Sequence, residues 1–299
     1  MTNLAEGSPG SGPTAGDPSR LPLSVWPLTA ILAVALICGG YLYLRAETPP
    51  SEAFDLHNAP RIEALAAKIE AGAQGVVMIG DSRLRYALPE DVAFSRLLSQ
   101  RLDMPAAALR LSNVWAIWSD FAGLAPQILA ARPRLVILQE DLFAKERETG
   151  SRLLLGRTYL IWQVAGSGPW NPGNVDQAML QTDVRCDVLS DENAHERKER
   201  VSEWVSFDAE GANAKAIARF VAAAEDAGIE IAVLPVPITE EGHAVLPGYK
   251  RPADLRTIDH GITLSNDHYC DVVHMNAKGR AVFTEMLLGR LQARLGGTP

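Results

Sequence analysis

The feature that most constrains the fold is a series of short, wholly apolar runs that alternate with segments of helical periodicity. Leu135–Leu138 is apolar at every position, as a strand covered on both faces of a sheet requires. The runs predicted as strands are Val76–Ile79, Ala108–Leu111, Leu135–Leu138, Ile229–Leu234 and a short fifth strand at Ile262–Leu264. The segments predicted as helices around them are Ala59–Gly72, Val92–Leu102, Phe121–Ala131, Asn213–Ala227 and Gly279–Leu295. This alternation predicts parallel βαβ units, and therefore a three-layer α/β/α sandwich with a mostly parallel sheet.

Composition limits the classes of function. The chain has 299 residues, of which 47% are hydrophobic, enough for one large core rather than two full domains. Its formal net charge of −8 argues against nucleic acid as a partner. No Gly-rich phosphate loop or dinucleotide fingerprint is present, and the three cysteines lack the close spacing of a zinc or iron–sulfur site. We therefore predict neither a metal nor a cofactor.

The N-terminal part of the chain predicts a membrane anchor. Residues 1–20 are rich in Gly, Ser, Pro and Thr without apolar periodicity, which is typical of a disordered tail. Leu21–Leu44 then contains no charged residue and is flanked by Arg20 and Arg45. As a helix this run would be about 36 Å long, enough to cross the ~30 Å hydrocarbon core of a bilayer. We predict a transmembrane anchor over residues 21–44; a buried hydrophobic helix is the alternative.

The remaining chain is predicted to form one α/β domain with an insertion. Residues 45–72 are predicted to be a linker and a first helix, because Pro49-Pro50 is typical of a linker and helical periodicity starts only at Ala59. The domain itself is predicted over residues 73–299. The alternation breaks at about residues 143–207. An irregular stretch of this length inside a compact domain is usually functional, so we predict an insertion over the active-site edge.

A serine lies where the first predicted strand meets a helix. Gly80-Asp81-Ser82 follows Val76–Ile79, and a hydroxyl at such a corner lies at the carboxyl edge of a parallel sheet, where ligands bind. A serine hydroxyl needs a base to become a nucleophile. Asp271 precedes His274 by three residues, so it can orient the ring while the other ring nitrogen faces the serine. The predicted catalytic residues are Ser82 as nucleophile, His274 as general base and acid, and Asp271 as orienting carboxylate.

Each of these residues also has a plainer explanation. Ser82 is a good helix N-cap, and Asp271 has the same capacity for the last helix. His274 is otherwise a surface histidine before that helix. Asp267 is the alternative orienting acid, and Asp81 is expected to support the turn rather than to catalyse.

The two motifs together resemble the SGNH (GDSL-type) hydrolase family. Gly80-Asp81-Ser82 is similar to the family's first block and Asp271-x-x-His274 to its last, and the resemblance spans roughly residues 75–295. It implies a flavodoxin-like α/β/α sandwich and a Ser–His–Asp triad formed by the same residues. It also implies a divergent, membrane-anchored member whose domain lies on the trans side of the membrane.

The chain departs from this family where the family supplies oxyanion-hole donors. The family usually has a glycine after its second strand and Gly-x-Asn-Asp after its third. Here the second strand leads into Ser112-Asn113 and the third into Gln139-Glu140-Asp141, without glycine. The loss of one donor costs roughly 3 kcal/mol of barrier stabilisation, so other donors are needed. The predicted donors are the backbone N–H of Ser82 together with Asn113 or Gln139.

Two arginines flank the predicted nucleophile. Arg83 and Arg85 are predicted to bind an anionic part of the substrate, such as a uronic acid or a lipid phosphate. The alternative is that they are surface charges paired with Glu90 or Asp91.

The resemblance implies a membrane-anchored serine esterase or O-acyltransferase. It would act through an acyl-enzyme on O-acyl groups, chiefly O-acetyl groups, of a cell-surface polysaccharide. Two alternatives stay open: a membrane-proximal lipid esterase, and a non-catalytic scaffold in a polysaccharide-assembly complex. The expected partners are the polysaccharide or another acylated substrate, the membrane, and polysaccharide-assembly proteins. The expected location is the inner membrane with the domain on the periplasmic side, an oxidising compartment in which Cys186 and Cys270 can form a disulfide.

Overall fold

The computed structural model describes most of the α/β domain and one N-terminal helix. The described residues are 25–45, 49–113, 116–147, 205–207, 211–240, 242 and 255–296. The predicted tail, residues 1–20, and most of the predicted insertion at 143–207 lie outside them. The chain divides into two compact units, residues 1–47 and 48–299, and each is described by itself.

The structure has short strands between longer helices. The strands are β1 (Gln74–Asp81), β2 (Ala106–Asn113), β3 (Leu135–Gln139), β4 (Lys145–Arg147), β5 (Val205–Phe207), β6 (Glu230–Leu234) and β7 (Arg256–Thr257). The α-helices are α1 (Val25–Arg45), α2 (Pro49–Glu70), α3 (Ser82–Ala87), α4 (Asp91–Leu102), α5 (Ala125–Ala131), α6 (Ala212–Asp226) and α7 (Ala277–Leu295).

The N-terminal unit contains α1, which covers most of the run predicted as a membrane anchor. This helix has 21 residues. Its described large apolar side chains are exposed and belong to Leu28, Ile31, Leu32, Val34, Leu36 and Ile37. Across the part of the chain that the structure describes, no helix combines the length and the apolar character needed to cross a membrane.

Five strands of the second unit form one parallel sheet in the order β2-β1-β3-β6-β7. This confirms the predicted mostly parallel α/β sheet. The prediction of a fifth strand at Ile262–Leu264 was wrong. The place beside β6 is taken by Arg256–Thr257, which pairs with Ala232 and Val233. The side chains of Ile262 and Leu264 pack against the core. Their apolar character reflects this packing and not backbone pairing in the sheet.

Helices cover both faces of the sheet, which completes the three layers. Along β1, Val76 and Met78 contribute to a core shared with α3, α4 and α7. Val77 and Ile79 contribute to a second core shared with α2, α5 and α6. Successive side chains of a strand point to opposite faces, so the apolar run Val76–Ile79 within β1 is what a doubly covered sheet requires.

From Pro49 onward, the stretch predicted as a linker before residue 59 is helical. Helix α2 begins at Pro49 because prolines are tolerated in the first turn, where the missing N–H has no intrahelical partner. Phe54, in this stretch, is 1% exposed and packs edge-on against Phe121 with ring centroids 5.5 Å apart. Burial of this ring fixes the N-terminal half of α2 to the domain.

The two ends of the predicted insertion meet in a small antiparallel ribbon. Lys145 of β4 pairs with Phe207 of β5, and Arg147 pairs with Val205. The described residues on either side of the segment 148–204, Arg147 of β4 and Val205 of β5, are therefore direct neighbours.

Candidate active site

The predicted nucleophile lies at a tight strand-to-helix corner. Strand β1 ends at Asp81 and α3 begins at Ser82. The Asp81 carboxylate caps α3 by accepting a hydrogen bond of 2.9 Å from the backbone N–H of Arg83. A Cβ at Gly80 would lie 2.3 Å from Gln139 Oε1, so the close approach of that side chain requires glycine at this position.

The structure brings the three predicted catalytic residues together. Ser82 Oγ lies 2.8 Å from His274 Nε2. On the other side of the ring, His274 Nδ1 lies 2.9 Å and 3.1 Å from the two carboxylate oxygens of Asp271. Residues 192 positions apart in sequence thus form one hydrogen-bonded chain, because both motifs lie at the carboxyl edge of the parallel sheet.

Backbone hydrogen bonds fix the loop that carries Asp271 and His274. Asp271 Oδ1 accepts from the backbone N–H groups of Val273, at 3.0 Å, and His274, at 2.9 Å. The backbone N–H and the hydroxyl of Thr239 both donate to the carbonyl of Val272, at 3.1 Å and 3.0 Å. The carboxylate and the ring are therefore held by the same short turn, which is braced from the segment after β6.

The ionisation of Asp271 favours the arrangement needed for base catalysis. Burial alone would raise the pKa of Asp271, but the hydrogen bond and charge of His274 and two backbone N–H groups lower it to about 2. An ionised carboxylate accepts from the ring, so the network assigns the proton of neutral His274 to Nδ1. Nε2 is then left as the acceptor for the Ser82 hydroxyl.

The alternative acid, Asp267, has a different role. Its carboxylate contacts the Lys278 ammonium and Ser265 Oγ on an exposed loop. The hydrogen bonds of Lys278 and Ser265 lower the pKa of Asp267 to about 2. Asp271, not Asp267, contacts the His274 ring.

A buried polar cluster lies directly behind the nucleophile corner. Its members are Asp81, Arg83, Gln139, Asp141 and Lys145, and each is at most 7% exposed. Arg83 donates to both carboxylates of the cluster, and Lys145 Nζ lies 2.7 Å from Asp81 Oδ2. The Gln139 amide accepts from the backbone N–H of Asp81 at 2.9 Å and donates to Asp81 and Asp141 at 2.9 Å and 2.8 Å. Two cations and two carboxylates thus compensate one another, as buried charges require.

This cluster corrects two predictions. Arg83 was predicted to bind substrate, but its guanidinium is buried and paired with Asp81 and Asp141 rather than with a surface partner. Gln139 was predicted as an oxyanion-hole donor, but both hydrogen bonds described for its side-chain N–H₂ go to these carboxylates. Both residues support the corner that carries Ser82.

The charges of the cluster control the ionisation of Asp81. Burial by itself would raise the pKa of Asp81, but the charges and hydrogen bonds of Arg83 and Lys145 outweigh it and hold the pKa well below its usual value. The role of Lys145 as a buried cation of this cluster was not predicted from the sequence. The available signal was a lysine four positions after Asp141, which itself follows a wholly apolar strand.

Two further predicted residues keep their candidate roles. Asn113 is half-buried at the carboxyl end of β2, where it pairs in register with Asp81. It therefore lies on the correct edge of the sheet to act with the backbone N–H of Ser82. Arg85 is half-buried on α3, and burial lowers the pKa of its guanidinium. Its carbonyl accepts a hydrogen bond of 3.0 Å from Arg110.

Cys270, next to Asp271, is disulfide-bonded. The chain has three cysteines, and the side chains of Cys38 and Cys186 lie outside the described residues. The pairing of Cys270 with Cys186 stays a prediction. Within the described ranges, no group of three or more His, Cys, Asp or Glu residues is placed to hold a metal ion.

Among solved structures, the chain is similar to several lipases. They include a GDSL-like lipase from Bacteroides thetaiotaomicron (9% identity, 81% of this chain and 98% of that chain, TM-score 0.39). A lipase from a goat rumen metagenome has 12% identity over 75% of this chain and 98% of that chain, with a TM-score of 0.36. The lipase/acylhydrolase from Enterococcus faecalis has 12% identity over 74% and 96%, with a TM-score of 0.32. No family model matches the chain, and neither does any curated protein. At these values the likeness carries no argument about chemistry, which has to rest on the geometry of the site itself.

Proposed function

We propose that this protein is a serine ester hydrolase or O-acyltransferase of SGNH type that works through an acyl-enzyme on Ser82. The observation that carries the proposal is the hydrogen-bonded chain from Ser82 Oγ through the His274 ring to the Asp271 carboxylate, with heavy-atom distances of 2.8 Å and 2.9 Å. Nucleophile, base and orienting acid within hydrogen-bond reach are the geometric requirement for acyl transfer by serine.

The proposed reaction uses His274 with its proton on Nδ1 and with Nε2 free to accept the Ser82 proton. Ser82 Oγ attacks the acyl carbonyl while its proton passes to His274 Nε2, and Asp271 stabilises the imidazolium that forms. The backbone N–H of Ser82 and the Asn113 amide are the proposed donors to the oxyanion. Collapse of the tetrahedral intermediate breaks the ester bond, and His274 gives the proton to the leaving alcohol. Water then releases the acid, or a sugar hydroxyl accepts the acyl group, with His274 as base again.

Labelling by a fluorophosphonate probe tests this proposal before any substrate is known. Wild type should label and should hydrolyse p-nitrophenyl acetate, and Ser82→Ala should do neither. Ser265→Ala removes an exposed hydroxyl that contacts Asp267 and is the matched control, so it should behave as wild type. A wild-type protein that does not label, or a Ser82→Ala variant that still hydrolyses, would contradict the assignment of Ser82.

The finer proposal is an O-acetylated cell-surface polysaccharide as substrate. It is supported by the resemblance of the two motifs to a family with such members, and a lipid ester is the competing substrate. Incubation with an O-acetylated polysaccharide should release acetate or move acetyl groups to an acceptor sugar. Preferential cleavage of long-chain esters in phospholipid vesicles would instead support the lipid esterase. A probe-labelled wild type that hydrolyses p-nitrophenyl acetate poorly favours the transferase, because its acyl-enzyme awaits a sugar rather than water.

A non-catalytic role has one specific observation in its favour. The side-chain N–H₂ of Gln139, at the end of β3, donates to Asp81 and Asp141, so it does not supply the oxyanion donor expected after the third strand. A scaffold in a polysaccharide-assembly complex would explain this. In that case wild type and Ser82→Ala would show the same background hydrolysis and no labelling.

Membrane attachment through residues 21–44 and a periplasmic location of the domain stay predictions. They rest on the uncharged run in the sequence. Retention of the full-length protein in membranes after alkaline carbonate would support the anchor, and release would refute it. A C-terminal alkaline phosphatase fusion should be active if the domain is periplasmic.

A further inference from the structure

An aromatic ring lies against the face of the His274 ring. The ring centroids of Tyr86 and His274 are 4.5 Å apart, with an angle of 38° between the ring planes. Tyr86 follows Ser82 by four positions on α3, and residues with this spacing lie on the same face of a helix. The helix that presents the nucleophile therefore also presents a ring to its base.

The backbone on both sides of this contact is fixed. Arg280 Nε of α7 donates a hydrogen bond of 3.0 Å to the carbonyl of Tyr86. The backbone N–H of Arg280 bonds to the carbonyl of Asn276, the N-cap of α7, which lies two residues after His274. The spacing between Tyr86 and the His274 loop is thus set by a direct tie between α3 and α7.

The hydrogen bonds of the triad restrain one motion of the His274 ring only weakly. Ser82 and Asp271 contact the two nitrogens, Nε2 and Nδ1, at directions close to the line between them, so rotation of the ring about that line bends these bonds only a little. A side chain packed on the ring face does oppose that rotation. An aromatic face within about 6 Å of a cation also attracts it, which favours the imidazolium formed when His274 takes the serine proton.

We propose that Tyr86 is a positioning residue for His274, which restrains the tilt of its ring and stabilises its protonated form through the aromatic face. This rests on the proposed acyl-transfer function of Ser82. The part that acts is the ring, not the phenol hydroxyl. Among the described residues, Asp271 from its own loop and Tyr86 from α3 are titratable groups in contact with the His274 ring, and the charged Arg280 of α7 contacts the Tyr86 carbonyl.

Two substitutions of Tyr86 separate the ring from the hydroxyl. Tyr86→Phe keeps the ring and should retain turnover of p-nitrophenyl acetate within about twofold. Tyr86→Leu removes the ring and should lower kcat by about two- to thirtyfold with little change in KM, the range expected for loss of a cation–π contact. The acid limb of kcat/KM should move to lower pH in Tyr86→Leu, since the imidazolium is less stabilised, and should stay in place in Tyr86→Phe.

A readout that does not need turnover makes the test independent of the proposed function. The His274 ring can be titrated by NMR in the full chain, with its signal among the six histidines assigned by its loss in His274→Gln. The pKa of His274 should be lower in Tyr86→Leu than in wild type and Tyr86→Phe. Should Tyr86→Leu not fold, Tyr86→Met, which replaces the ring by a flexible chain, takes its place.

The two hypotheses fail in different ways. Wild type that does not label with the fluorophosphonate probe overturns the acyl-transfer function, while the NMR titration still decides whether Tyr86 stabilises the imidazolium. Wild type that labels, together with an unchanged acid limb and an unchanged His274 titration in Tyr86→Leu, overturns the role of Tyr86. Equal losses in Tyr86→Phe and Tyr86→Leu would assign the effect to the hydroxyl and contradict the role of the ring.

Discussion

Replacement of Lys145 by methionine tests whether the buried polar cluster holds the nucleophile corner. Lys145 is 1% exposed, and its Nζ lies 2.7 Å from Asp81 Oδ2 and 3.6 Å from Asp141 Oδ2. Methionine keeps an unbranched chain but removes the ammonium. Two buried carboxylates then share Arg83, and the cluster is left with one uncompensated negative charge.

The size of the effect follows from this burial. Removal of one partner of a buried ion pair costs about 3–5 kcal/mol, because the remaining charge is neither hydrated nor compensated. We expect the free energy of unfolding of Lys145→Met to fall by this amount, a large share of the about 5–15 kcal/mol that stabilises a typical domain.

The pKa of Asp81 determines how this loss depends on pH. Because the folded protein holds the pKa of Asp81 well below 3.8, the carboxylate contributes stability that is present above pH 3.8 and is lost as the pH falls through the folded value. Lys145→Met removes one of the two cations that lower this pKa, so that contribution shrinks. The difference from wild type should therefore be largest at neutral pH, and it should narrow as the pH falls from the folded pKa of Asp81 in the variant towards its lower folded pKa in wild type.

Urea unfolding of the purified full chain, followed by far-UV circular dichroism at pH 7 and at successively lower pH values, measures both effects. Lys278→Met is the matched control, because it removes an ammonium from a pair with the exposed Asp267. A loss in Lys145→Met no larger than in the control would refute the claim that its ammonium compensates buried charge. A loss that stays equal at every pH at which wild type remains folded would refute the role assigned to Asp81.

Three further predictions concern the site and its support. Asp271→Asn should lower kcat about a thousandfold or more, because it removes the anionic acceptor for Nδ1–H of His274. Asp267 cannot replace it, since Lys278 engages its carboxylate. A loss below tenfold in p-nitrophenyl acetate hydrolysis would contradict this prediction. Gly80→Ala should reduce the free energy of unfolding, measured in urea, by about 1–3 kcal/mol, since the new Cβ would lie 2.3 Å from Gln139 Oε1. Gly289→Ala on α7 is the control and should be tolerated, because a Cβ there meets nothing within 4 Å. The folded pKa of Asp271, about 2 against an ordinary 3.8, contributes stability that is present above pH 3.8 and is lost as the pH falls towards 2; an acid titration by circular dichroism should therefore be less steep in Asp271→Asn.

In the five-stranded sheet, the four strands that can be predicted from the sequence carry a local apolar signal, and the fifth carries none. Val76–Ile79 and Leu135–Leu138 predict β1 and β3 because a strand covered on both faces is apolar at every position. Strand β7 is only Arg256–Thr257 and exists through its pairing with β6. Ile262–Leu264 is similarly apolar at most positions but does not pair with a neighbouring strand. The sequence of such a short run cannot show whether it forms a strand or a loop packed on the core.

The same distinction applies to the site. The corner at Ser82 and the three-residue spacing of Asp271 and His274 are local patterns, and they predict the triad. The burial of Arg83 and Gln139 depends on partners 58 positions away, which no local pattern reveals. Charged side chains are almost never buried unless they are paired, so the sequence alone favours an exposed Arg83.

The ribbon of β4 and β5 has a consequence for how the length of this chain can change. Arg147 and Val205 pair directly, so residues 148–204 connect two backbone positions that are already neighbours. The entropy of closing such a connection grows only with the logarithm of its length, about 0.6 kcal/mol for each doubling. The closing entropy therefore changes little when residues are added to or removed from this segment, as long as the ribbon and Cys186, the predicted disulfide partner of Cys270, are kept. Lys145 is the first residue of β4 and also a member of the buried polar cluster. Because the ribbon holds Lys145 in place, a change in the length of the segment beyond it need not move the residues behind Ser82. Variants that shorten or replace this segment but keep the ribbon and Cys186 test the prediction that it lies over the active-site edge, because they leave the residues that support Ser82 in place.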